Sequence, residues 1–157
     1  MNRKFKFSVL VTVLFLFIML IVTPALAAPP LAVHIEVPAT INPDPDPFVA
    51  SGPAVNAGAL CPTGTSTDLS VVIVADPPGT TIRILKVVKR FICDDGSGTF
   101  DVNLVVKLDL ATHETSARWS IAGGTGDYVG LHGNGNLIGT PIVPGSSIFD
   151  VYDGIIH

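Results

Sequence analysis

A chain of 157 residues with 13 acidic against 9 basic side chains carries a formal charge of −4. That balance repels nucleic-acid phosphates and anionic lipid headgroups, so neither is an expected partner. Two cysteines and four histidines, none of them in ligand spacing, point to no metal and no cofactor.

Residues 1–27 read as a secretory signal peptide. Arg3, Lys4 and Lys6 precede an apolar run over 7–22 broken only by Ser8 and Thr12, and Pro24 leads into Ala25-Leu26-Ala27, a small-x-small cleavage signature. Cleavage after Ala27 is expected, giving a secreted, extracellular protein with no membrane attachment. An uncleaved anchor is the competing reading, because the run approaches the length that spans a bilayer. The leader holds three of the nine basic residues and none of the acidic ones, so residues 28–157 carry six against thirteen, a formal charge of −7. They suffice for a single domain that buries roughly two-thirds of its unfolded surface.

The first strand is predicted over 31–37, where Leu31, Val33, Ile35 and Val37 alternate with His34 and Glu36. Residues 38–53 then read as a Pro/Asp-rich connector. In Asn42-Pro43-Asp44-Pro45-Asp46-Pro47 alternate residues lack an amide donor, which suits an extended polyproline-like link ending in a short strand over 48–51. After the loop bearing Cys61, the β-branched run over 69–75 predicts a strand, and Asp76-Pro77-Pro78-Gly79 a turn.

The clearest periodicity lies over 100–110. Phe100, Val102, Leu104, Val106, Leu108 and Leu110 form one face, with Asp101, Asn103, Lys107 and Asp109 on the other and only Val105 out of pattern. Asp94-Asp95-Gly96-Ser97-Gly98 joins this strand to an earlier one over 81–93 as a hairpin. Four basic residues, Arg83, Lys86, Lys89 and Arg90, fall on both faces of that earlier strand, which predicts a bulge or a twisted edge. They read as protection of a sheet edge, with an anion-binding groove as the alternative.

A turn near 112–115, a strand containing Trp119, a glycine block and a last strand over 148–156 complete the chain. Gly123, Gly124, Gly126, Gly130, Gly133, Gly135 and Gly139 predict tight reversals and bulges between very short strands. No segment after the leader offers a capped amphipathic helix, so the fold class is all-β, a small antiparallel barrel or a sandwich. A last strand at the C-terminus suits a sheet that closes on itself. Two cysteines in an exported chain allow one intramolecular pairing, so a Cys61–Cys93 disulfide is expected. A buried free pair and a metal site completed by histidines are the rivals.

No catalytic signature appears. Gly124-Thr125-Gly126 misses GxGxxG by one residue and no helix follows it, and there is neither a GxSxG elbow nor an HExxH. Glu36 and Glu114 become acid/base candidates only if they point into a cavity. Trp119 and Tyr128 read as core plugs or as the lining of a ligand pocket, and His132, inside the glycine block, joins them as a candidate ligand-binding residue.

Several segments resemble small exported bacterial proteins of uncharacterised function: Phe91-Ile92-Cys93, Asp95-Gly96-Ser97-Gly98-Thr99-Phe100, Trp119-Ser120-Ile121, the run GGTGDYVGLHGNG over 123–135, and Tyr152-Asp153-Gly154. The GGTGxY and GxG portion is also similar to the glycine-rich hairpin of the allene oxide cyclase and dirigent barrels. That resemblance implies about eight antiparallel strands, an interior able to admit an apolar ligand, and a tendency to form homo-oligomers. The polar catalytic groups of the cyclases match no position here. Three functions remain: non-catalytic binding of a small apolar ligand or a cell-surface partner, a cyclase- or isomerase-like activity, and a structural secreted role.

Overall fold

The computed structural model describes residues 29–40 and 45–157, and the leader over 1–27 lies outside them. Eight strands close an antiparallel barrel in sequence order: β1 (Leu31–Thr40), β2 (Asp46–Ser51), β3 (Thr63–Ala75), β4 (Ile82–Cys93), β5 (Gly98–Asp109), β6 (Thr115–Gly126), β7 (Gly133–Val143) and β8 (Ser147–Ile156). One four-residue helix, α1 (Pro53–Asn56), interrupts them. Closure runs through β8 and β1, paired from Leu31 opposite Ile156 to Thr40 opposite Ser147. The last strand thus meets the first.

Alternation decides which side chains fill the barrel. Val33, Ile35, Val37 and Ala39 of β1 and Phe100, Val102, Leu104 and Val106 of β5 are buried, while Val105 stands outside, about half exposed. The centre is aromatic. Phe91 and Phe100 stack with centroids 4.8 Å apart, Phe48 and Tyr152 meet Phe91 edge-on, and Tyr128 meets Phe100 edge-on.

The Pro/Asp-rich connector expected over 38–53 is mostly sheet. Pro38 continues β1 opposite Phe149 of β8, and Pro47 sits in β2 opposite Thr65 of β3. The missing donor of Pro38 is tolerated because β1 pairs with β2 only at His34, Ile35 and Glu36, leaving Pro38 with one neighbour. Only 41–44 fall outside the described residues there. Likewise β3 starts at Thr63, in what reads as a loop, because its polar residues lie between β2 and β4. The irregularity expected in β4 sits in β3, with register shifts between Asp68 and Ser70 and between Ile73 and Ala75. β4 is not an edge, since it pairs on both sides.

The glycine block is less a series of turns than a set of vacated side-chain positions. Gly126 (φ 61°) opens the turn that carries Tyr128, as expected. Gly135 and Gly154, paired across β7 and β8, have no room for a Cβ, which would run into a facing-strand carbonyl (Asp153 for Gly135, Asn134 for Gly154) and into the Trp119 indole. The indole lies over both backbones.

Candidate functional site at the barrel mouth

The two ends of the barrel differ. At one end α1 and the following loop fold over the opening, burying Ala54 and Leu60, and the Cys61–Cys93 disulfide ties that loop to the end of β4. Tyr128 fixes the closure: its Oη accepts the Cys61 N–H at 3.1 Å, lies 3.4 Å from Cys93 Sγ, and shares a hydrogen bond with Ser97 Oγ at 2.8 Å. Trp119 packs on the same side and donates its indole N–H to the Asn136 carbonyl at 3.0 Å. The space beside it, bordered by Leu60, Phe100 and Ile156, amounts to about 10 Å³. A single water barely fits such a volume.

Of the three ligand-binding candidates, Trp119 and Tyr128 are therefore both 4 % exposed and used in packing. His132 is exposed, on the outside. Its backbone exchanges two hydrogen bonds with His157, and the two rings stand 5.9 Å apart. Only Trp119 borders the small space.

At the opposite end the barrel is open. A cavity of about 100 Å³ is walled by Val87, Leu104, Val106, Leu137 and Ile148 and floored by Asp68, Lys89, Asp150 and Tyr152. Four strands place a polar side chain inward around this level: Asp46 on β2, Ser66 on β3, Lys89 on β4 and Asp150 on β8, all buried. Lys89 Nζ reaches Asp68 Oδ1 at 3.1 Å. Asp46 Oδ1 accepts both the backbone N–H and the hydroxyl of Thr40, each at 2.9 Å. Three buried atoms, Ser66 Oγ, Asp150 Oδ1 and Tyr152 Oη, have no protein partner.

Burial pushes the Asp150 carboxyl up to about 6, with Asp68 and Asp46 adding to the effect and Lys89 opposing it. Burial first, and then Asp150, Asp68 and Asp46, raise the Tyr152 phenol well above its ordinary value. The site therefore offers a hydroxyl held in its donating form beside a carboxyl that exchanges its proton near neutrality. Such a pair can hydrogen-bond a polar group or move a proton.

The sequence candidates for acid/base work lie elsewhere. Glu36 faces outward and meets His34 Nε2 at 3.3 Å, while Asp153 takes His34 Nδ1 at 2.7 Å. These two carboxylates raise the His34 imidazole above its ordinary value. Glu114 lines an outer groove with Lys107 and Thr140. The four clustered cations divide: Arg83 pairs with Asp76, Arg90 with Asp101, Lys89 turns inward to Asp68, and Lys86 stands exposed on the outer face. Among the described residues no group of three or more His, Cys, Asp or Glu side chains could hold a metal ion.

The mouth residues carry a signal in the sequence. Lys89 falls in the inward row Val87, Lys89, Phe91, Cys93, and Asp150 in the row Ile148, Asp150, Tyr152. A charge on the apolar parity of a strand in a closed barrel has nowhere to go but the interior. Compared with models of known families and with curated proteins, the chain gives no match.

Proposed function

We propose that this is an exported barrel that binds a small amphiphilic ligand at its open mouth. The observation that carries the reading is that Asp150 Oδ1 and Tyr152 Oη, two buried polar atoms without protein partners, belong to residues lining the same cavity at the open end of the barrel. Each such atom costs about 1–3 kcal/mol when left unsatisfied, and native structures keep few of them. A bound hydroxyl or amine removes that cost.

Size refines the ligand. Small-molecule sites usually enclose about 300–1,000 Å³, so a cavity of about 100 Å³ takes one end of a molecule and leaves the rest outside. The outside is apolar on one wall: Val71 and Ile73 of β3 stand opposite Val87 and Leu85 of β4, on the face that continues the cavity wall. A polar head against Asp150 and Tyr152 with a hydrocarbon body along this wall fits both parts. The disulfide suits the oxidising compartment to which the leader would direct the chain.

The test uses octanol and octylamine, followed by methyl chemical shifts. Shifts at Val106, Leu137 and Ile148, lost in Asp150→Asn and Tyr152→Phe, are the expected result. Shifts confined to the Trp119 end, or none with either probe, refute it and leave the structural role. A second reading, an isomerase or cyclase of the allene oxide cyclase kind, draws on the Asp150 carboxyl lying near 6 beside a protonated phenol. That reading requires turnover which Asp150→Asn abolishes while octylamine still binds.

A further inference from the structure

β3 pairs with β2 only as far as Ser66, whereas its pairing with β4 continues to Ala75. Among the described residues nothing pairs with the other edge of 69–75. This overhanging segment is apolar on both faces: Leu69, Val71, Val72, Ile73 and Val74 are each between 46 % and 55 % exposed. Edge strands are normally blunted by an inward charge, a proline or a bulge. Here the two register shifts bracket Ser70 to Ile73, which remain in regular pairing with β4.

Charge distinguishes which partner fits. The acidic residues flanking the segment are each matched within the chain, Asp68 by Lys89 at 3.1 Å and Asp76 by Arg83 at 2.7 Å. The arm is thus locally neutral in a chain whose formal charge is −4. Two copies of the chain repel each other in general, and this edge is where they meet without opposing charges.

We propose that the protein forms a two-fold dimer in which the 69–75 edges of two copies pair antiparallel, joining their sheets along about 20 Å of backbone. A pairing centred on Val71 sets that residue against its own copy and keeps Asp68 from standing opposite Asp76. Pairing satisfies the edge amides and carbonyls and covers side chains that otherwise face water on both sides.

The test is sedimentation of the purified full chain over a range of concentrations, with amide hydrogen exchange measured at the two extremes. A monomer–dimer equilibrium is expected, with exchange at 69–75 slowing on dimer formation. The Val71→Lys variant, altered at an exposed position, should weaken association by at least about tenfold, because each lysine then stands opposite its own copy across the new pair. A chain that stays monomeric throughout, a dimer whose edge amides exchange unchanged, or a variant that dimerises as well as the parent overturns the proposal. The exchange measurement requires no substitution and decides the matter even if the variant does not fold.

Discussion

Gly139 and Asp150 stand opposite each other across β7 and β8, and a methyl group added to the glycine would run into both the Asp150 carboxylate and the Thr115 hydroxyl. The glycine therefore makes the room in which the acid sits. Gly139→Ala should destabilise the protein by about 1–3 kcal/mol, the usual cost of overpacking, and should abolish the octylamine-induced shifts at Ile148. Thermal unfolding and the methyl spectrum check the two parts.

Asp150 makes stability depend on pH in an unusual direction. Its carboxyl lies at about 6 in the fold against an ordinary 3.8, so between those values the folded state binds more protons than the unfolded one. Its contribution is fully present below the unfolded value and is lost as pH rises through about 6. The difference between the two values corresponds to roughly 3 kcal/mol. Urea unfolding of the parent and of Asp150→Asn should show the variant gaining on the parent by about that amount between about pH 4 and pH 7.5. Parallel curves would mean that the carboxyl is not desolvated.

The indole of Trp119 reports on the closed half of the barrel. Gly154→Ala puts a methyl group where the ring lies, so the ring must move or the strands must part. A loss of about 1–3 kcal/mol is expected, with tryptophan emission shifted to the red as the indole meets water.

Reduction should open the other closure. The Cys61–Cys93 bond spans a sequence separation of 32, for which the chain-entropy model gives about 3–4 kcal/mol. Denaturant midpoints of the oxidised protein and of Cys61→Ser/Cys93→Ser measure it. Slower exchange at the Cys61 amide in the oxidised form would show that the bond to Tyr128 depends on the loop being held.

Much of the architecture was legible because barrel strands declare themselves by alternation. Phe100, Val102, Leu104 and Val106 point inward as their spacing requires, and the last strand closes on the first. The connector was misread because prolines at 38 and 47 argue against sheet only where both edges of a strand are paired. The mouth cluster was less legible for a different reason. Aromatic residues in a glycine-rich run draw attention, yet Trp119 and Tyr128 are large and buried because they fill space that Gly135, Gly154 and Gly124 leave empty. Lys89 read as one of four cations protecting a sheet edge, and only the closure of the barrel, which leaves β4 no free edge, turns its row inward.

The loop that carries Cys61 turns the barrel into a cup rather than a pipe. Among the described residues, a molecule entering past Ile148 would meet Phe91 and Phe100, with only the space of about 10 Å³ beside Trp119 beyond them. On the proposed binding reading, entry and departure share one doorway. On that reading, how long a guest stays is set by how readily it lets go of Asp150 and Tyr152, and the closed Trp119 end takes no part in its release.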